Sequence, residues 1–442
     1  MLWEEVMIGV SPEIGLAGIL FLFGLLVAGM PIGIALAVVG FGGSVLVLGL
    51  EPAVIKSAII LFETLSRYEL GTLPLFLLVA HLVFSSNASK DIFDAAAAFM
   101  GHRRGGLAAA SVGGCAGFSA INGSSLATVA TIGLVALPEM RKRGYSDQLA
   151  TGAIAAGGTL GPMIPPSGAL IVFGIVAEQS IGTLFTAAII PGLTQMLFYF
   201  LVIWLIAIFR PEMAPASERI SWPDRWVALR KVIDILLLVV VMISGIVVGW
   251  FTPTEAASVG VMGALLISAM RRRLTWHNLS DALLQTLRTS GMIYLIVIGA
   301  LIFAVFISVT GFADAIAQLV GELSVSNFMK MVLIAVILLL LGSVLDGLAL
   351  MLLTTPILLP VVRDMGYSPI WFGIFLVRAI EIGFIHPPIG MNLYIIQGIA
   401  KNITLGKVFR GVLPFLASDL VHLLLIISFP AIALWLPHIL GS

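Results

Sequence analysis

Apolar runs of roughly 20 residues, separated by short polar segments, follow one another along almost the whole 442-residue chain. That length of helix crosses the hydrocarbon core of a bilayer, so the pattern predicts an all-α polytopic membrane protein. In the first half we predict helical segments at residues 13–29, 31–49, 51–68, 72–86, 105–138, 147–178 and 183–209. In the second half we predict them at residues 232–249, 253–270, 275–287, 289–310, 327–362, 368–400 and 411–436.

The chain contains an internal repeat. The stretch that begins at Leu137 aligns without a gap with the stretch that begins at Leu359, an offset of 222 residues. Both stretches contain Gly-Tyr-Ser and, further on, Pro-Pro-x-Gly. The same offset pairs Pro31 with Pro253 and Ser124 with Asp346. We interpret the chain as two copies of one unit.

The duplication defines the domain organisation. We predict a first repeat over residues 1–210, a cytoplasmic linker over 211–231 and a second repeat over 232–442. Each repeat should contain scaffold spans, a helical hairpin and a broken helix. In the first repeat these are residues 13–68, 105–138 and 147–178, and in the second they are 232–287, 327–362 and 368–400.

The hairpins should be re-entrant. The arm from Gly105 to Ser119 spans only about 22 Å, which is short for a core about 30 Å thick. Two short tilted spans are the alternative, but they would expose the polar turn Ser119–Ser125 to lipid, whereas a hairpin can bury that turn against a protein cavity. With re-entrant hairpins each repeat crosses the membrane an odd number of times, so the second repeat is inverted. Placing the N-terminus outside then puts the basic clusters in the cytoplasm.

Two duplicated motifs interrupt apolar segments, namely GTLGPMIPPSG at Gly158–Gly168 and GFIHPPIGMN at Gly383–Asn392. Their prolines remove backbone donors and their glycines permit unusual dihedrals, so each helix should unwind near the bilayer midplane. The freed carbonyls, together with polar groups at the hairpin tips, are suitable ligands for a sodium ion, and half-helix ends can hold an anion. A single proline could instead only kink its helix.

The candidate site residues come mainly from the hairpin tips and from the two interrupting motifs. The candidate sodium ligands are Ser119, Asn122, Gly123, Ser124, Gly158, Gly161, Pro162, Gly342, Asp346, Gly347, Gly383 and Met391. The candidate substrate-binding residues are Ser124, Ser125, Pro166, Ser167, His386 and Asn392. As alternatives, Asp346 could be a structural carboxylate, the two serines could bond back to their own helix, and Glu381 and Arg378 could pair within the scaffold.

Composition agrees with the membrane assignment. Hydrophobic residues make up 60% of the chain and charged residues 10%, with a mean hydropathy of +1.13. Soluble proteins carry about 25% charged residues. The formal net charge of zero gives no reason to expect a nucleic-acid partner, and the acidic start MLWEEV has no basic signal-peptide region. Cys115 is the single cysteine, so no disulfide forms within the chain.

Four motifs in order, NGSSLATVATIG, GTLGPMIPPSG, TPTEAA and LDGLALMLLTTPILLPVV, resemble the large membrane subunit of tripartite ATP-independent periplasmic (TRAP) transporters, which belong to the ion-transporter superfamily. The resemblance covers essentially the whole chain. It implies sodium-driven import of a small organic anion, a carboxylate or sialic acid, across the bacterial inner membrane. It also implies an elevator motion of a transport domain against a scaffold. The implied partners are a small four-helix membrane subunit, expected here as a separate chain, and a periplasmic substrate-binding protein.

Two other functions, a stand-alone carrier and an intramembrane hydrolase, are alternatives to this one. A stand-alone sodium/dicarboxylate carrier of the same superfamily would need no partner. An intramembrane hydrolase would use Asp346 or Ser124, but aspartyl chemistry needs a second facing acid, and the repeat equivalent of Asp346 is a serine. No GxxxxGK[ST] motif occurs, so this chain has no Walker A loop for ATP. We therefore expect a transporter and not an enzyme.

Overall fold

The computed structural model describes residues 11–84 and 88–441, and in these residues the only regular secondary structure is helical. The first repeat contains α1 (Pro12–Val27), α2 (Ile32–Leu48), α3 (Leu50–Ser66), α4 (Thr72–Phe84), α5 (Ala88–Met100), α6 (Gly106–Asn122), α7 (Ser125–Lys142), α8 (Asp147–Gly158), α9 (Gly168–Val176) and α10 (Ile181–Phe209). The linker contains α11 (Trp222–Arg230). The second repeat contains α12 (Ile233–Val247), α13 (Pro253–Met270), α14 (Trp276–Val309), α15 (Phe312–Glu322), α16 (Asn327–Gly342), α17 (Gly347–Asp364), α18 (Pro369–Gly383), α19 (Met391–Ile399), α20 (Leu405–Ser428) and α21 (Ala431–Leu440).

The helices of the two repeats correspond in order. The hairpin α6–α7 corresponds to α16–α17, and the broken helix α8–α9 corresponds to α18–α19. Equivalent helices also begin in the same way: Ser146 Oγ accepts a hydrogen bond from Leu149 N at the start of α8, and Ser368 Oγ accepts one from Ile370 N at the start of α18. These serine N-caps satisfy donors that a helix start leaves free. The predicted hairpins and broken helices are thus present in both halves.

Several helices can cross a membrane. Among the described residues, five helices are long and apolar enough by themselves, and seven spans result if each sharply bent pair is counted as one. One such pair is α8 with α9, which meet at an angle of 41° across the interruption in the first motif. The chain is a multi-pass membrane protein.

Helices α2 and α14 pack through small residues. A Cβ atom built on Gly299 of α14 would lie 2.2 Å from the carbonyl oxygen of Gly33 in α2, and one on Gly40 would lie 2.5 Å from the backbone nitrogen of Phe303. Only glycine allows the two helices to approach so closely. The α2–α14 pair therefore forms a tightly packed contact between the two repeats.

The linker contacts the base of the first hairpin. Gly105 N donates to Ala214 O and Ser146 N donates to Met213 O, both at 3.1 Å. Ser217 N donates to Gly101 O at the same distance. These bonds bring the linker, the end of α5 and the starts of α6 and α8 to one face of the molecule. The same face carries the basic residues at the end of α7.

The structure differs from the sequence prediction in several helices. We predicted an amphipathic segment 275–287 and a separate span 289–310, but α14 is one continuous helix, because no proline or tight turn interrupts it. Its counterpart in the first repeat is bent by 56° between α3 and α4, where a short 3₁₀ helix, Tyr68–Gly71, precedes Pro74. Helices α5, α11 and α15 were not predicted, and the predicted span 411–436 is divided between α20 and α21. The end of the predicted span 72–86, residues 1–10 and residue 442 lie outside the described residues.

Candidate functional site

The tip of the first hairpin is ordered by its own polar side chains. Asn122 Oδ1 accepts hydrogen bonds from Ser124 N at 2.7 Å and from Thr128 Oγ1 at 3.3 Å. Ser124 is the N-cap of α7, and its Oγ accepts from Ala127 N. Gly123 between them has a φ of 59°, in the left-handed region that favours glycine. The Asn-Gly pair therefore makes the turn that the sequence predicted.

This tip packs against the interruption of the first broken helix. A Cβ atom built on Gly123 would lie 2.9 Å from Pro166 O, and one on Gly161 would lie 3.1 Å from Ser125 N. Both contacts are between backbones, so side chains larger than hydrogen would separate the two segments. The hairpin tip and the unwound segment form one compact unit.

The second hairpin tip has an acidic N-cap. Asp346 Oδ1 accepts from Leu348 N at 3.1 Å and from Ala349 N at 3.3 Å, at the start of α17. A Cβ atom on Gly383, at the end of α18, would lie 2.7 Å from the Gly342 carbonyl carbon. The second tip thus also lies against its own broken helix. Asp346 is exposed in this structure, whereas Ser124 is partly buried.

Asn392 joins the two repeats. It lies in the first turn of α19, is fully buried, and donates from Nδ2 to Ser125 Oγ at 2.9 Å and to Ala155 O at 3.2 Å. Both acceptors belong to the first repeat, on α7 and α8. The second broken helix is therefore fixed directly to the first hairpin.

One cavity of about 230 Å³ is bounded by both hairpin tips. Its polar lining includes two carboxylates, Asp346 and Glu381. Within the described part of the chain, no lysine, arginine or histidine lines it. Residues of α4 and α14 close the opposite wall, among them Leu77, Thr289 and Met292. The cavity is therefore the place where both hairpin tips meet α4 and α14.

The predicted site residues divide into two groups. Those that line the cavity are Asn122, Gly123, Ser124, Ser125, Pro162, Asp346 and Gly347. Those that do not line it are Ser119, Gly158, Gly161, Pro166, Ser167, Gly342, Gly383, His386, Met391 and Asn392.

Two serines outside the lining form hydrogen bonds with backbone atoms. Ser119 Oγ donates to Cys115 O within α6, and Ser167 Oγ is the N-cap of α9, accepting from Leu170 N. His386 is half-buried on the loop between α18 and α19. The hydroxyls of Ser119 and Ser167 are thus engaged by the backbone, which is the local alternative that serines in and beside helices commonly adopt.

Glu381 and Arg378, for which a mutual pair was one alternative, have different surroundings in the structure. Arg378 Nη2 lies 2.6 Å from Asp419 Oδ1 of α20, with both side chains fully buried. Tyr199 of α10 donates to Asp419 Oδ2 at 3.0 Å. Glu381 instead lines the cavity, as does Ser125. The only sequence signal for Glu381 was an acid inside an apolar helix.

A larger cleft of about 710 Å³ is lined by the segment between α3 and α4, the ends of α9 and α12, and the starts of α10 and α13. An ion pair crosses it, with Arg67 Nη2 3.3 Å from Glu178 Oε1. Arg67 Nη1 also donates to Ile175 O. These contacts tie the end of the first broken helix to the segment between α3 and α4.

A family model described as "Tripartite ATP-independent periplasmic transporter, DctM component" matches residues 19–432. A Pseudomonas aeruginosa protein named C4-dicarboxylate TRAP transporter large permease protein DctM is 37% identical over 91% of this chain and 94% of its own. A Vibrio cholerae protein named sialic acid TRAP transporter large permease protein SiaM is 32% identical over 94% of this chain and 96% of its own. The crystal structure of the Alcanivorax borkumensis YdaH transporter has a TM-score of 0.60 at 15% identity, covering 86% of this chain and 88% of that one, and so shares the fold.

Proposed function

The chain belongs to the DctM component family of tripartite ATP-independent periplasmic transporters, and from that membership we propose that it moves a small organic anion together with sodium ions. The anion is of the carboxylate class. Two relatives are named for C4-dicarboxylate and sialic acid, which supports this class without selecting one compound.

The cavity between the two hairpin tips is the observation that carries the proposal. It is lined by two carboxylates and by hydroxyl, amide and backbone groups, without a basic side chain among the described residues. An anion entering such a cavity is repelled until cations neutralise the carboxylates. Binding of the anion therefore depends on binding of the cation, and this dependence couples the two flows.

The transport cycle is an elevator motion. The hairpins and broken helices move as one body, because Asn392 bonds the second broken helix to the first hairpin and each tip packs on its own broken helix. The spans around Pro31 and Pro253 form the fixed scaffold. The cavity wall from α4 and α14 belongs to this scaffold, so the moving body slides against that wall.

Family membership implies two protein partners, a small membrane subunit and a periplasmic substrate-binding protein. We propose that the small subunit is the four-helix type and that the complex lies in the bacterial inner membrane, with the N-terminus of this chain outside. The binding protein delivers the anion and supplies most of the substrate selection.

Reconstitution tests the proposal. Liposomes carrying both membrane subunits, with the binding protein added, should take up a carboxylate only when an inward sodium gradient is present. A potassium gradient of equal size is the control. Equal uptake under both gradients would refute sodium coupling, and uptake by this chain alone would favour the stand-alone carrier.

A further inference from the structure

Glu381 is a buried carboxylate without a compensating charge in direct contact. Its side chain is 3% exposed, and its Oε2 atom has no hydrogen-bond partner in the structure. The nearby Arg378 is already paired with Asp419, which leaves that pair neutral. An isolated buried carboxylate is costly, so the site favours a cation.

A second unpartnered oxygen lies in the same group of side chains. Asn392 is fully buried, and its Oδ1 has no partner, while its Nδ2 donates to Ser125 Oγ at 2.9 Å. Ser125 and Glu381 also line the same cavity. Ser125 is therefore the common neighbour of two buried side chains, each with a free oxygen acceptor.

From this geometry we propose that Glu381, Asn392 and Ser125 form a sodium site that joins the two repeats and is separate from the N-cap carboxylate of Asp346. A sodium ion bound there engages the oxygens of all three side chains at once. A proton would satisfy only one oxygen of Glu381 and leave Asn392 Oδ1 without a partner. Hard oxygen ligands of this kind suit a hard cation.

The first repeat has no carboxylate at the position equivalent to Glu381. The position equivalent to Glu381 in the first repeat is Thr159, whose Oγ1 donates to Ala156 O and pairs with Tyr199 OH at 2.7 Å. That hydroxyl is fully engaged inside a buried network. The two repeats therefore differ here by a charge and by a free acceptor, so the proposed site belongs to the second repeat and reaches across to Ser125 of the first.

The inference rests on the proposed sodium coupling, so its test has to separate the two. Thermal unfolding of the purified membrane-subunit complex in detergent is measured against sodium concentration, with potassium keeping the ionic strength constant and no substrate present. The wild type should be stabilised by sodium. In Glu381→Gln, the sodium concentration giving half of that stabilisation should rise by about tenfold or more, because one charged ligand of a buried cation is lost.

Glu322→Gln is the matched control, since Glu322 is an exposed carboxylate at the end of α15. It should follow the wild-type sodium titration. If sodium does not stabilise the wild type beyond potassium, sodium coupling itself fails and the site with it. If sodium stabilises the wild type and Glu381→Gln equally, this site is refuted while the proposed function stands.

A second variant covers the case in which Glu381→Gln does not fold. Ser125→Ala keeps the carboxylate and removes one neutral oxygen, so it should shift the sodium titration in the same direction by a smaller factor. An unshifted titration in a folded Ser125→Ala protein would also overturn the assignment.

Discussion

Ser124 and Asp346 occupy the same structural position in the two repeats, each as the N-cap of the second helix of its hairpin. Ser124 Oγ accepts from one backbone donor, Ala127 N, and Asp346 Oδ1 accepts from two, Leu348 N and Ala349 N. Asp346 therefore caps its helix, and this interaction does not conflict with a role in cation binding. The two tips share a fold and differ by one formal charge.

This relationship makes Asp346→Asn a specific test of charge. Asparagine is as good an N-cap as aspartate, so the variant should insert and fold normally. Removing the negative charge should lower sodium-driven uptake about tenfold or more. The measurement is steady-state uptake against sodium concentration in reconstituted liposomes. Wild-type sodium dependence in this variant would show that Asp346 is structural.

Ser124→Ala should have a smaller effect on sodium. It removes one neutral oxygen and an N-cap interaction worth about 1 kcal/mol. The sodium concentration for half-maximal uptake should rise less than in Asp346→Asn, while the melting temperature falls more. The reverse order of the two variants in the uptake assay would contradict the assignment of the charged tip as the stronger cation ligand.

The buried pair Arg378–Asp419 should be essential for stability. Arg378→Met leaves the Asp419 carboxylate buried without its counter-charge, at a cost of about 3–5 kcal/mol. The double variant Arg378→Met with Asp419→Leu removes both charges and should recover most of that loss. Thermal unfolding of the two variants in detergent makes the comparison. A single variant that melts like the wild type would show that the pair contributes little.

Labelling of introduced cysteines tests the topology. Cysteines in place of Lys142 and Arg272 should react only with reagent on the cytoplasmic side, and those in place of Glu63 and Glu322 only from the periplasm. All four positions are exposed. The native Cys115 is fully buried, so the parent protein provides an unlabelled background. Cysteines at Lys142 and Arg363 labelling from the same side would refute the inverted repeat.

A cross-link across the cleft tests the moving body. Arg67→Cys with Glu178→Cys, joined by a short bifunctional maleimide, should block uptake and leave sodium binding intact, because the ion pair that they replace ties the first broken helix to the α3–α4 segment. The matched control is Thr72→Cys with Thr254→Cys, whose native Oγ1 atoms are 2.5 Å apart on the adjacent helices α4 and α13. Undiminished uptake with the first pair fully cross-linked would rule out the proposed motion.

The hairpin tips and helix interruptions could be predicted because their causes are local. Proline and glycine alter the backbone where they occur, and the duplication shows each signal twice. The partner of Arg378 could not be predicted, since Asp419 approaches it only through the packing of α20 on α18. Ser167 and His386 lie in the two motifs that interrupt α8–α9 and α18–α19. Their position in the sequence does not determine whether their side chains face the cavity, and neither residue lines it. Helices α5 and α15 carry too many polar residues to stand out by hydropathy.

The hydrogen bond from Asn392 to Ser125 also constrains how the protein is made. The two residues are 267 positions apart. At about 5–20 residues per second, the ribosome needs on the order of tens of seconds to add that much chain. The first hairpin therefore leaves the ribosome long before the helix to which it is hydrogen-bonded in the finished protein. During that interval the first hairpin, with its polar turn, exists without its partner helix. Assembly of the protein therefore requires the first repeat to remain open until α19 has been synthesised.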